Sequence, residues 1–491
     1  MNAQQNHHLA KAESAGARGD RAAMLAAIEA LLSQTPIPAL GEGWVVACML
    51  AHEGGDDGAA VACAEHLQAQ NAADPRAMQL LAQALMRFGK ADEAAIYYKR
   101  ALDMGGADQD NLYYEYARSL AQKGDLAKAS EVLDALVARC PDHAAAWENL
   151  AGLKRFSASD PQIAVLKTQR AKAFLATADV RASFAAAQAK AYDGMGEIDK
   201  AWSCLSDGAR AAREIVAPFD PDAYDAYVDQ LITSYAASCF APMRENKNEE
   251  GPPVILILGV PRSGTTLIER VLGAHSLCVS AGENKALWLV SQLLGGPGEP
   301  AIGQLQDPDM RDLFRSRYLK MLHDRAGGPG VVTDKSLRNE TRLGLAARLL
   351  PAIRVIWCRR GVMDTAFSCL KTRFAEGNAW SYTPEHIARF IAGYEKIMTH
   401  WQHGLGAHLY TLDFDAFVEN PDEECAKLLG FCGLPFEPVH KSFVAHGGNI
   451  STASLAQVRE PINKKGRGAW RRYESHLGPL RAALRAVGYD V

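Results

Sequence analysis

Val254-Ile-Leu-Ile-Leu258 runs directly into Gly259-Val-Pro-Arg262-Ser263-Gly264-Thr265-Thr266, and a helical pattern follows from Leu267 to Ala274. The short apolar, partly β-branched run suits a strand buried on both faces of a parallel sheet. The glycine-containing turn and the start of a helix behind it form a cradle for a phosphate. Backbone N–H groups point outward there, and the helix dipole favours an anion. This unit predicts an open α/β sheet with its ligand at the carboxyl ends of the strands.

Gly259 and Gly264 stand five residues apart, the spacing of the nucleoside-triphosphate P-loop. That loop needs a lysine after its second glycine to reach the β- and γ-phosphates, and a Ser or Thr to hold Mg²⁺. Position 265 is threonine, and the cation of the loop is Arg262. The arrangement suits an anionic donor handled without a metal, and a nucleotide kinase or NTPase is the weaker alternative.

Upstream, the chain repeats itself. Gly19, Gly54, Gly89 and Gly124 recur every 35 residues, with Ala12, Ala47, Ala82 and Ala117 seven places before them. Met24, Ala59, Ala94 and Ala129 stand five places after them, and a further copy surrounds Gly196 with Ala189 and Ala201. Small residues at these places let two antiparallel helices approach, and the glycine turns the chain between them. The period resembles the tetratricopeptide (TPR) repeat of about 34 residues, over residues 5–215. The resemblance weakens from Ser157 to Val180. Repeats of this class form concave surfaces that bind peptides, while a purely structural or dimerising role is the plainer reading. Tyr113, Tyr114 and Tyr116 read as helix packing rather than as a binding stripe.

A charged stretch ending in Gly251-Pro252-Pro253 separates the two patterns. The expected organisation is therefore a repeat domain at 5–235, a linker at 236–253 and an α/β domain at 254–491. The chain has 491 residues, 48% of them hydrophobic, and a net charge of −4, which gives no general reason to expect a nucleic acid partner. Residues 1–16 lack the apolar core of a signal peptide, and no run approaches the roughly 18 apolar residues that span a membrane. Ten scattered cysteines without a CxxC pair read as buried thiols in a reducing cytoplasm.

Pro261-Arg-Ser-Gly-Thr-Thr-Leu267 behind its strand resembles the 5′-phosphosulfate loop of sulfotransferases that use PAPS (3′-phosphoadenosine 5′-phosphosulfate). The resemblance covers residues 252–475 and looks closest to the protein-tyrosine and bacterial TPR-sulfotransferase branch. It implies that Arg262, Ser263, Gly264, Thr265 and Thr266 bind the donor. In Ala281-Gly282-Glu283-Asn284 it implies that Glu283, 21 residues after Arg262, is the base on the acceptor hydroxyl. In Val331-Val-Thr-Asp334-Lys335-Ser336 it implies a catalytic Lys335, which with Arg262 neutralises charge as the sulfonate moves.

In Arg359-Arg360-Gly-Val-Met-Asp364 it implies a 3′-phosphate grip from Arg360 and Ser368, eight residues apart. This chain reads Arg-Gly-Val where the family has Arg-Asp-Pro or Arg-Asp-Gly, so Arg359 remains open for that role. Lys371 and Arg373 would add charge. Ser454, three residues before Gln457 and sixteen before Trp470, matches the branch's donor-binding serine. The branch's lysine before that tryptophan is Ala469 here, which leaves Lys465, Arg467 and Arg471 as lid cations. Phe414 and Asp415 replace the branch's Tyr-Glu. His275, His440 and His446 show no metal or triad spacing and read as structural.

The expected fold is α plus α/β: a TPR-like solenoid, then a P-loop-like three-layer domain with a mostly parallel sheet. The expected function is metal-free transfer of a sulfonate from PAPS to a hydroxyl of a peptide (tyrosine above all), a carbohydrate or a small molecule. The alternatives are the kinase or NTPase and a non-catalytic adaptor built on a degenerate domain.

Overall fold

The computed structural model describes residues 5–105, 108–235, 254–296, 299–374, 377–446 and 459–491. Helices pair in antiparallel fashion from Gln5–Ala17 with Arg21–Leu32 through to Ala178–Met195 with Ile198–Arg213. The predicted small positions are the contact points, since Ala12, Ala47, Ala82, Ala117, Ala94 and Ala129 are all fully buried.

Each turn joins a left-handed glycine to the N-cap of the next helix. Gly89 has φ 87° and Gly124 has φ 113°. In the second pair the left-handed residue is Gly55 at φ 90°, whereas Gly54 still lies in the helix Gly43–Gly54. The helix runs one residue further before the turn, which moves the register by one. Ala60 rather than Ala59 is therefore the buried residue after the turn. The cap after the glycine is Asp20, Asp56 or Asp125 in three of the turns, and its carboxylate accepts from an amide of the first turn (Ala23, Ala59 and Lys128). An N-cap carboxylate satisfies a donor that the helix cannot, so Asp125→Ala is expected to cost about 1 kcal/mol. A lower urea midpoint for the full chain measures it.

The weak stretch at 157–180 holds the helix Pro161–Lys172 and a short 3₁₀ turn, Ala173–Leu175. Tyr113 and Tyr114 pack as helix residues against the Leu133–Trp147 core, with Arg139 over the Tyr113 ring.

The second half is built on five parallel strands in the order β2-β3-β1-β4-β5. They are β1 Val254–Leu258, β2 Cys278–Ser280, β3 Val331–Asp334, β4 Arg354–Arg359 and β5 Leu409–Asp413. Strand β1 is buried along its whole length, as its unbroken apolar run requires. The chain builds one side of β1 with β3 and β2, then crosses to the other side with β4 and β5. Loops that leave β1, β3 and β4 therefore meet at one edge of the sheet, at the reversal of strand order.

Helix Pro221–Ser234 packs on Pro384–Leu405, and Val228, Leu231 and Tyr235 join the core that covers the sheet. Tyr235 meets Trp401 edge-on at 5.0 Å. It also lies so close to Gly344 that a Cβ there would come within 2.2 Å of its ring. The linker at 236–253 lies outside the described residues. Ion pairs join the two halves as well: Arg373 with Glu148 at 2.8 Å, Arg472 with Asp193 at 3.0 Å, and Arg389 with Asp222 at 2.8 Å.

Candidate functional site

The loop after β1 closes tightly. Arg262 itself adopts a left-handed backbone at φ 75°, and Gly264, the N-cap of helix Thr265–Gly273, sits at φ 104°. A Cβ on Gly264 would lie 2.1 Å from Phe414, so the phenyl ring that replaces the expected tyrosine covers the turn. Amides at the first turn of a helix have no intrahelical acceptor, which leaves the mouth of this loop suited to an anion. The Ser263 hydroxyl is buried and lacks a hydrogen-bond partner.

Two guanidinium groups converge on this mouth. Arg262 Nε donates to Ser368 Oγ at 3.0 Å, which brings together residues 106 apart in sequence. Arg360 donates to the Arg262 carbonyl at 3.3 Å and to the Gly466 carbonyl, and its guanidinium stacks over Phe414 at 5.6 Å. Burial pulls the Arg262 pKa down to about 10, opposed in part by the Cys369 thiol and reinforced by the neighbouring Arg360. An incoming anion relieves that unfavourable pair of like charges. Asp364 closes the group, accepting from the Gly468 amide at 2.9 Å and lying 3.8 Å from Arg360.

Arg359 is not part of this group: it turns away to Glu395 at 3.0 Å. Lys371 and Arg373 point to the repeats, where Asp193 and Glu148 hold them. Of the lid cations, Lys465 pairs with Glu460, Arg467 with Glu419, and Arg471 lies over Trp470. Ser454 and Gln457 lie outside the described residues.

A second cluster lies along β2 and β3. Ser280 pairs with Thr333 in register, so the segments that follow carry Glu283 and Lys335 out at the same sheet end. Lys335 Nζ donates to the Glu283 carboxylate, and Glu269 lies 3.9 Å away on the helix of the phosphate loop. Lys335 is buried and Glu283 is about one third exposed. Burial pushes the Glu269 carboxyl above its usual range, while Lys335 and the Ser280 hydroxyl pull it back.

Behind them Asp334 is fully buried. It accepts from Tyr318 at 2.8 Å, Asn284 at 2.9 Å, Asn339 at 3.2 Å, and both the amide and the hydroxyl of Ser336. Burial raises its pKa, and those donors work against the rise. Reading the sequence singled out Lys335 but not this support. The only signal was the Asp-Lys neighbourhood, and Tyr318 and Asn339 gave none.

His275 and His440 bond to Pro435 and Asp422, and His446 is exposed and bonds to the Ser442 carbonyl at 3.4 Å. Among the described residues no group of His, Cys, Asp and Glu is arranged to hold a metal ion. No described helix is long and apolar enough to cross a membrane.

A cavity of about 950 Å³ opens at the mouth of the loop. Arg262, Thr265, Thr266, Arg360 and Ser368 line one side, and residues of the repeats, including Gly152, Arg155, Ala186 and Lys190, line the other. Its walls come from both halves of the chain. Glu283 and Lys335 are not part of this lining.

Residues 253–438 match the model of the Sulfotransferase family, and residues 75–104 and 110–153 match tetratricopeptide-repeat models. An uncharacterized protein of Aquifex aeolicus is 29% identical over 422 residues, which is 82% of this chain and 53% of that protein. The chain thus spans about half the length of that relative. Among solved structures, the sulfotransferase domain from the curacin biosynthetic pathway is 17% identical and covers 50% of this chain and 100% of its own, with a TM-score of 0.36. A sulfotransferase from Alicyclobacillus acidocaldarius is 18% identical over 45% of this chain and 100% of its own, at 0.26. The type IV pilus biogenesis factor PilW is 17% identical over 42% of this chain and 92% of its own, at 0.31.

Proposed function

We propose, from the match of residues 253–438 to the Sulfotransferase family behind tetratricopeptide-repeat matches, that the chain transfers a sulfonate from PAPS to an acceptor hydroxyl. One observation carries the donor reading. Arg360 and Ser368 both meet Arg262 at a loop whose position 265 is threonine, so one mouth offers a place for a 5′-phosphosulfate and a neighbouring place for a 3′-phosphate. The buried, unpartnered Ser263 hydroxyl and Arg360 Nε fit that polyanion.

In this reading Ser263, Gly264, Thr265 and Thr266 hold the phosphosulfate, and Arg360 and Ser368 grip the 3′-phosphate, with Ser454 as a further donor contact. Arg262 and Lys335 supply positive charge where negative charge grows on the bridging oxygen. Glu283 takes the acceptor proton as the acceptor oxygen bonds to sulfur. The bridging S–O bond breaks, and its electron pair leaves with the nucleotide bisphosphate PAP. Lys335 now holds the Glu283 carboxylate, so a donor oxygen that engages Lys335 would release the base.

The acceptor is a peptide, carbohydrate or small molecule that enters where the repeats and the α/β domain share a wall. The division into 5–235, 236–253 and 254–491 is part of the same reading, and a cytoplasmic location is consistent with nine described cysteines that are all free thiols.

Titration of the full chain with PAP and with ATP tests the donor. PAP is expected to bind at least about 100-fold more tightly than ATP, because only PAP carries the 3′-phosphate. Tight ATP binding without PAP binding would return the loop to the kinase reading.

A further inference from the structure

Three successive turns of the repeats carry side chains of the α/β domain. A Cβ on Gly55 would meet Trp288 at 2.5 Å, one on Gly89 would meet Arg325 Nη2 at 2.9 Å, and one on Gly124 would meet Arg459 Nη1 at 2.3 Å. The glycines that turn the repeat chain thus also form its docking edge, because a side chain at any of them would occupy the space of the incoming group.

The middle contact reaches furthest into the site. Arg325 ends helix Pro308–Ala326 and spends its guanidinium on three carbonyls. Nη1 donates to Arg87 at 3.0 Å, Nε to Ala281 at 2.7 Å, and Nη2 to Glu283 at 2.6 Å. The Arg87 carbonyl belongs to the last turn of the repeat helix Pro75–Phe88, where carbonyls lack intrahelical donors and carry the negative end of the helix dipole. Phe88 faces the guanidinium at 5.9 Å. A planar fork can bridge three acceptors in this way, and an ammonium on a flexible stem cannot hold them together in one fixed geometry.

We propose that Arg325 is a positioning residue through which the repeats hold the Ala281–Glu283 segment in the geometry that the Glu283 carboxylate needs. The inference rests on the donor and base roles proposed above. It makes the repeats part of the catalytic scaffold and not only a surface for acceptors. Misplacing a base by about 1 Å costs up to about 100-fold in rate, without the donor's own contacts being touched.

The test uses the full chain, PAP titration, and transfer of label from radiolabelled PAPS into cell extract at saturating donor. Arg325→Met is expected to lower turnover about ten-fold with PAP affinity within about two-fold of wild type. Arg325→Lys should recover only part of the loss. Gly89→Ala, remote in sequence from Glu283, should lower turnover in the wild-type background and change it less than about two-fold in Arg325→Met, as expected when one contact transmits both effects.

Turnover unchanged in Arg325→Met, or losses in PAP affinity that match the losses in turnover, overturns the inference. Additive losses in the double variant do so too. If Gly89→Ala does not fold, the comparison of wild type, Arg325→Met and Arg325→Lys decides alone. Wild type that binds no PAP removes the donor reading and this inference with it, whereas PAP binding with indifferent Arg325 variants removes only the inference.

Discussion

Glu283→Gln is expected to lower sulfonate transfer by about 100- to 10,000-fold while PAP still binds. The amide keeps the shape of the side chain and can still meet Lys335, but it cannot accept a proton from a hydroxyl. Glu283 is about one third exposed, so its loss should leave the fold intact. Lys335 is buried and loses its nearest carboxylate, with Glu269 at 3.9 Å as the next. The donor then becomes the better partner for that ammonium, and PAPS affinity should hold or improve slightly. Label transfer from PAPS measures the first effect and calorimetric titration the second. A rate within about three-fold of wild type would remove Glu283 from the base role.

Arg360→Ala should weaken PAP binding by about 100-fold, the scale of a lost charge-assisted contact to phosphate. The same variant should weaken adenosine 5′-phosphosulfate, which lacks the 3′-phosphate, by a much smaller factor. The contrast is the informative part, because Arg360 also supports Arg262 and Gly466 through their carbonyls. Equal losses for both ligands would mean that Arg360 shapes the loop and does not read the 3′-phosphate. Arg359→Ala serves as the comparison. Its side chain is half exposed and paired with Glu395, so PAP affinity should change by less than about two-fold.

The two variants concern separate clusters, one around Arg262 and Arg360 and one around Lys335 and Glu283, and in the proposed function the donor addresses both. The proposed function puts the 3′-phosphate end in the large cavity, which repeat residues also line, and the sulfonate end at Lys335 and Glu283. The chemistry therefore depends on how firmly the segments after β2 and β3 are held, and Asp334 with its five donors holds one of them from within the domain.

How much of this was legible depended on the range of each interaction. Strand β1, its loop and the following helix could be read because an unbroken apolar run, two glycines and a helix start are local signals. The repeats were legible for the same reason: the small residues and the turn glycine recur at a fixed period along the chain. One further helical residue before the turn was enough to move the left-handed position from Gly54 to Gly55. The three-residue edge strand β2 gave no apolar run and was not read.

Arg359 ends β4 and turns to Glu395, whereas Arg360 just after it turns to the loop, and only the assembled sheet says which of the two faces it. The pairing of Glu283 with Lys335 comes from the parallel register of β2 and β3, a contact across 52 residues. The three carbonyls on Arg325 join segments up to 238 residues apart. Local chemistry along the chain thus specified the strand, the loop, the repeats and the residue types of the proposed site. Which arginine faces the loop, what holds Glu283 and how the repeats reach it were decided by tertiary packing, because non-local hydrogen bonds and register leave no period or motif behind.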